Sequence, residues 1–142
     1  MPAEPVEILL VEDNDADAEL TIRALRKREL ANRIHRLRNG AEALEYFFGT
    51  AGATPHPRVV MLDIKMPKVD GLEVLRALKT HEDTKAVPVV MLTSSKEDPD
   101  LRAAYALGAN SYIVKPVDFE KFSSAIGDLG LYWLLLNERP PG

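Results

Sequence analysis

The chain has 142 residues, of which 46% are hydrophobic and none is cysteine, and its formal net charge is −4. That length buries one real core and is too short for two ordinary domains. The acidic balance, without a basic patch or tail, argues against nucleic acid or an anionic membrane as partner, and the missing cysteines exclude disulfides, thiolate nucleophiles and zinc-cysteine sites together.

The opening Met1-Pro2-Ala3-Glu4-Pro5 has neither the positive start nor the apolar stretch of an export signal, and no apolar run approaches membrane-spanning length. A soluble, cytoplasmic protein with an N-terminal extension over residues 1–5 is expected. The apolar run Val6-Glu7-Ile8-Leu9-Leu10-Val11 reads as a strand and ends in two acids, Glu12 and Asp13. Asn14, Asp15 and Asp17 supply capping side chains and first-turn acids, and Ala18, Ile22 and Leu25 follow at helical spacing, which predicts a first helix to about Glu29. Arg33-Ile34-His35-Arg36-Leu37 alternates like a half-exposed edge strand. Asn39-Gly40 then breaks the chain, and residues 41–48 read as a second helix with Leu44, Phe47 and Phe48 available to the core. The stretch 49–57, rich in Gly, Pro, Thr and Ala, is a loop.

Arg58-Val59-Val60-Met61-Leu62-Asp63 is an unbroken apolar run that stops at a carboxylate, the pattern of a central parallel strand buried on both faces. Pro67-Lys68-Val69-Asp70-Gly71 reads as a turn with Asp70 as cap, and Leu72, Leu75 and Leu78 mark a third helix. Val87-Pro88-Val89-Val90-Met91-Leu92 is another buried strand, with the proline tolerated at its start, and it ends at Thr93-Ser94-Ser95. Asp98-Pro99 opens a fourth helix reaching about Gly108, and Ser111-Tyr112-Ile113-Val114 is a fifth strand ending in Lys115-Pro116. In the last helix Phe119, Phe122, Ile126, Leu129, Trp133 and Leu136 form an apolar stripe, so the ordered domain is expected to span 6–137 with an extended C-terminal helix and a tail over 138–142. Five strands alternating with five helices predict an α/β fold: a single doubly wound, five-stranded parallel sheet with helices on both faces and right-handed crossovers.

In such a sheet the carboxyl ends of the strands converge. Here they carry Glu12 and Asp13, Asp63, Thr93 and Lys115. Each alone has a mundane reading as a turn former or surface charge, but their joint placement does not. Three carboxylates in a partly buried site repel by several kcal/mol, roughly, so the cluster stays ionised only beside a cation, and oxygen ligands select Mg²⁺ or a similar hard ion such as Mn²⁺. An aspartate beside such an ion is also a competent phosphoryl acceptor: the Lys115 ammonium and the Thr93 hydroxyl can serve the transferring oxygens.

The ordered set Glu12-Asp13, Asp63 with Met66-Pro67 and Asp70-Gly71, Thr93-Ser94, and Tyr112-Ile113-Val114-Lys115-Pro116 resembles the receiver domain of two-component response regulators, over roughly 6–129. The resemblance implies a flavodoxin-like topology, with Asp63 accepting phosphate from a histidine kinase's phosphohistidine. It implies that Glu12, Asp13, Asp63 and the Lys65 carbonyl hold Mg²⁺ directly or through water, and that the Lys115–Pro116 bond is cis. It implies further that Tyr112 turns inward as Thr93 moves toward the phosphoryl group, altering the surface of the fourth helix, fifth strand and fifth helix. A narrower resemblance, carried by Pro88 to Ser95, Gly108-Ala109-Asn110-Ser111-Tyr112, Lys115-Pro116-Val117-Asp118-Phe119 and Gly130-Leu131-Tyr132-Trp133-Leu134, is to the single-domain response regulators that partner phytochromes, and it implies a phytochrome-like kinase.

Lys65 and Ser95 flank the path of an attacking water, and Lys65 is expected to modulate hydrolysis of the phosphoryl group. Leu131, Tyr132, Leu134 and Leu135 make the last helix apolar nearly all round, which predicts a homodimer through it. Packing deeper into its own domain would serve that helix equally. Two rivals stand beside the signalling reading: a phosphate sink with no downstream partner, and an aspartate-nucleophile phosphohydrolase. The latter class carries a second Asp two residues after its nucleophile, where this chain has Lys65, so a true enzyme is not expected. Dinucleotide binding lacks a glycine-rich first turn, and His35, His56 and His81 have no metal-ligand spacing.

Overall fold

The computed structural model describes residues 6–26, 34–49 and 56–131. Five strands and five helices alternate: β1 (Ile8–Val11), α1 (Asp15–Arg26), β2 (Ile34–Leu37), α2 (Gly40–Phe48), β3 (Val59–Asp63), α3 (Gly71–Thr80), β4 (Val89–Thr93), α4 (Asp100–Leu107), β5 (Ser111–Val114) and α5 (Phe119–Asp128). All strand pairs are parallel, as the alternation predicted, and the order is β2-β1-β3-β4-β5. The chain winds outward from β1 to β2, returns to β3 on the other side of β1, and continues to β5. The crevice between the carboxyl ends of β1 and β3 is therefore the topological switch point, where this class of sheet places its ligands.

Period-two alternation divides the central strands between two cores. Leu9, Val11, Val60, Leu62, Val89 and Met91 face α2, α3 and α4 on one side, where they meet Ala43, Val74, Leu75, Leu78, Leu101 and Ala104. Ile8, Leu10, Val59, Met61, Val90, Leu92 and Ile113 face α1 and α5 on the other, against Ala18, Leu25, Phe122, Ala125 and Ile126. Because both faces are covered, β1, β3 and β4 are buried along their whole length. Local chemistry starts the helices where the sequence indicated. The side chains of Asn39, Asp70 and Asp118 accept the backbone N–H groups of Glu42, Glu73 and Lys121, capping α2, α3 and α5.

Two expectations change. Phe48 does not join the core but stands 38% exposed with its ring against His81, while Ala43, Leu44, Tyr46 and Phe47 supply the core contacts of α2. The apolar stripe of the last helix is also not carried by one continuous helix. α5 closes at Asp128: Gly130 takes a left-handed φ of 73°, its N–H bonds Gly127 O, and the Leu131 N–H returns to Ile126 O at 3.1 Å. This is a Schellman stop, with Leu131 packed back on the α1/α5 core as the motif favours. Of the four residues predicted to form a dimer face, Leu131 is partly buried against its own domain, and Tyr132, Leu134 and Leu135 lie outside the described residues. The predicted continuation of α1 to Glu29 likewise lies outside them beyond Arg26. Among the described residues no helix is long and apolar enough to cross a membrane.

Candidate functional site

The switch-point crevice collects the strand-end residues. Glu12 follows β1 and is fully buried, Asp63 ends β3, Thr93 ends β4, and Lys115 follows β5; Asp13 alone among the three acids is exposed. One oxygen from each of Glu12, Asp13 and Asp63 lies within 4.8 Å of the others, so three hard ligand atoms point into one pocket. A donor set made only of carboxylate oxygens fits a divalent cation such as Mg²⁺ or Mn²⁺.

Lys115 binds the acids together. Its Nζ donates to Glu12 Oε1 at 2.9 Å, to Asp63 Oδ2 at 3.2 Å and to Asp17 Oδ2 at 3.3 Å. Its peptide bond to Pro116 is cis. Asp17 was legible only as a first-turn acid of α1; its reach to Lys115 depends on how α1 lies across the sheet edge, for which local sequence carries no signal. Burial disfavours the Lys115 ammonium, but hydrogen bonds and charge from Glu12 and Asp63 outweigh it and hold the group more firmly protonated than an ordinary lysine. The Asp63 pKa is raised too, but for a carboxyl that favours the neutral form. Burial above all, then the Glu12 carboxylate beside it, raise its pKa from 3.8 to about 7 against the opposing pull of Lys115. Without a cation, then, the Asp63 carboxyl holds its proton close to neutrality, and a divalent ion in the pocket would displace it.

The loop that carries Glu12 and Asp13 is braced from β2. Arg36 donates through Nε and Nη2 to the Glu12 carbonyl at 3.1 and 2.7 Å and through Nη1 to Asp15 Oδ1 at 2.7 Å. Asn14 caps α1 by accepting the Asp17 N–H at 2.9 Å. On the other side, Gly71 lets the start of α3 approach the end of β3 closely. Its N–H bonds Ile64 O at 2.8 Å, and any Cβ at that position would collide with the Asp63 carbonyl oxygen.

Thr93 and its neighbours form the third wall. The Thr93 hydroxyl is engaged within its own loop, with Ser95 O at 3.0 Å and Asp98 Oδ2 at 3.2 Å. Lys65, expected at the rim, is 68% exposed with Nζ 3.9 Å from Asp98 Oδ2. Tyr112 is 36% exposed, its ring edge-on to Tyr105 at 6.3 Å, so it points out of the fold here. Asp98 was read only as a helix opener, and nothing in its spacing shows the contact with Thr93.

A parallel sheet wound 2-1-3-4-5, with a carboxylate triad and an ammonium at its switch point, defines the class. The chain belongs to the response regulator receiver domain family, whose profile matches residues 8–127. Receiver domains are signalling phosphoacceptors that bind Mg²⁺ or Mn²⁺ at an acidic pocket. Among solved structures, the bacteriophytochrome response regulator AtBRR is 51% identical, with a TM-score of 0.81 over 96% of this chain and 100% of that one. The "Probable methanogenesis regulatory protein FilR2" of Methanothrix harundinacea is 45% identical over 96% of this chain and 89% of its own length. Response regulator Rcp1 of Synechocystis is 34% identical over 92% of this chain and 90% of its own length, and its Mn²⁺-bound crystal structure superposes with a TM-score of 0.74 over 97% of this chain and 100% of that one. The chain is thus a receiver-type response regulator homologous to those of phytochromes.

Proposed function

We propose that Asp63 is the phosphoacceptor and that the chain takes its phosphoryl group from a phytochrome-like sensor histidine kinase. The observation that carries the assignment is Lys115 Nζ bridging Asp63 and Glu12 while an Asp13 oxygen completes the acidic pocket. A carboxylate oxygen of Asp63 attacks the phosphorus of phosphohistidine, a P–O bond forms as the P–N bond breaks, and the imidazole nitrogen leaves with the electron pair. Glu12, Asp13, Asp63 and the Lys65 carbonyl would hold Mg²⁺, which when bound neutralises charge on the transferring oxygens. Lys115 neutralises a further oxygen, and Thr93 donates its hydroxyl once released from its loop. Burial of Asp63 limits water at the acyl phosphate, and the exposed Lys65 cation beside the opening governs how often a water attacks it.

Thr93 moving toward the phosphoryl group opens space for Tyr112 to turn inward from its exposed position, remodelling the α4-β5-α5 surface for a partner or a second copy of the chain. Support for the kinase class is the similarity to bacteriophytochrome response regulators, which runs through nearly the whole chain. Acetyl phosphate with Mg²⁺ should produce a phosphoprotein whose label maps by borohydride reduction and mass spectrometry to Asp63, and Asp63→Asn should abolish it. Label at another residue, or undiminished label in Asp63→Asn, overturns the assignment. In the same assay Lys65→Asn should change the rate of label loss by several-fold; an unchanged rate removes Lys65 from the account.

A further inference from the structure

Asp98 carries more than its helix-opening place requires. Its side chain is only 6% exposed, and a buried carboxylate must be matched by donors. Oδ1 accepts the Asp100 N–H at 2.9 Å, which already satisfies the first turn of α4. Oδ2 is surplus to that role and faces two other groups, the Thr93 hydroxyl at 3.2 Å and the Lys65 ammonium at 3.9 Å. A threonine has a single O–H proton. While that proton is held by Asp98 and the Ser95 carbonyl it cannot serve an oxygen bound at Asp63.

We propose that Asp98 is a latch on the switch: a positioning residue that holds Thr93 away from the acceptor and sets how much phosphorylation must supply to recruit it. The inference rests on the reading of Asp63 as acceptor. Activation is then an exchange of acceptors, in which a phosphoryl oxygen replaces both Asp98 Oδ2 and the Ser95 carbonyl as partner of the Thr93 hydroxyl. The exchange leaves Asp98 buried with a vacant oxygen, and Lys65 is the cation placed to compensate it. Lys65 stands two residues after Asp63 in sequence, so one strand end carries both the acceptor and the counterion of the latch. Because the Thr93 hydroxyl and Asp98 lie at the entry to α4, releasing the bond also frees that helix's first turn from β4.

The test is the affinity for beryllofluoride, a phosphoryl mimic, titrated calorimetrically with Mg²⁺ into wild type, Asp98→Asn, Thr93→Ala and the double variant. Asn keeps the shape and an oxygen for the Asp100 N–H while presenting N–H rather than an acceptor to Thr93. Asp98→Asn should bind about tenfold more tightly than wild type, the scale of one hydrogen bond to a charged acceptor. Thr93→Ala should bind more weakly, and in that background Asp98→Asn should change nothing, which a residue serving only to stabilise α4 could not produce. Asp98→Ser, too short to reach Thr93 but still able to cap, should repeat the gain should Asn turn its oxygen back. Equal affinity of wild type and both Asp98 variants overturns the latch while leaving the acceptor reading intact. An Asp98→Asn gain that persists undiminished with Thr93→Ala also overturns it. Failure of wild type to bind beryllofluoride at all would instead reject the acceptor reading and the latch with it.

Discussion

At the scale of single residues, the site is held by opposed electrostatic terms, and its pH dependence follows from their balance. The ordinary pKa of Asp63 is 3.8 and its folded value about 7, so the folded chain binds this proton more tightly than the unfolded one. The stability that Asp63 contributes without metal is fully present below about pH 4 and is lost as pH rises through about 7. A divalent cation competes for the same carboxylate. Mg²⁺ affinity, measured by calorimetry, should therefore rise close to tenfold per pH unit up to about pH 7 and then level off, and Asp63→Asn should flatten that slope; a pH-independent affinity in wild type would contradict it. The acids and the lysine of this site were legible because the three buried strands β1, β3 and β4 and the half-buried β5 each run into a polar residue, and a parallel sheet brings such ends together. Asp17 and Asp98 were not, because an acid in a first helical turn, like Asp17, or just before one, like Asp98, has a sufficient local explanation. Only the packing of α1 and α4 against the sheet edge gives each a second partner.

Elements were read correctly where burial and local capping agree. The runs at β1, β3 and β4 carry no polar residue inside them, and Asp70 and Asp118 cap the helices that follow β3 and β5, so sequence and tertiary structure agree. The end of α5 was misread because Phe119, Phe122, Ile126 and Leu129 continue in phase with Trp133 and Leu136, and periodicity alone cannot see that Gly130 takes a left-handed φ. The approach of α3 to Asp63 gives a sharper test of how elements position chemistry. Gly71→Ala places a methyl group against the Asp63 carbonyl and the Ile64 backbone, neither of which can rotate away. It should cost roughly 1–3 kcal/mol in urea denaturation and weaken Mg²⁺ binding as the end of β3 is displaced. Unchanged stability together with unchanged Mg²⁺ affinity would show that the contact relaxes without disturbing the site.

For the whole molecule, the proposal involves two surfaces: the α4-β5-α5 face, which the switch would couple to Thr93 and Tyr112, and the apolar sequence beyond Gly130, which is read from sequence alone. The homodimer expected from sequence was placed on Leu131, Tyr132, Leu134 and Leu135, of which Leu131 is partly buried against the α1/α5 core. Sedimentation should show self-association at micromolar concentration that Leu134→Asp with Leu135→Asp abolishes. Wild type remaining monomeric with and without beryllofluoride would remove the dimer from the account. The central claim is that Asp63 receives a phosphoryl group from a sensor kinase, and its most direct measurement is transfer of label. A ³²P-phosphorylated bacteriophytochrome histidine kinase, mixed with the protein and Mg²⁺, should lose its label to wild type within minutes and keep it in the presence of Asp63→Asn. Equal labelling of the two proteins, or transfer undiminished by EDTA, would contradict the account.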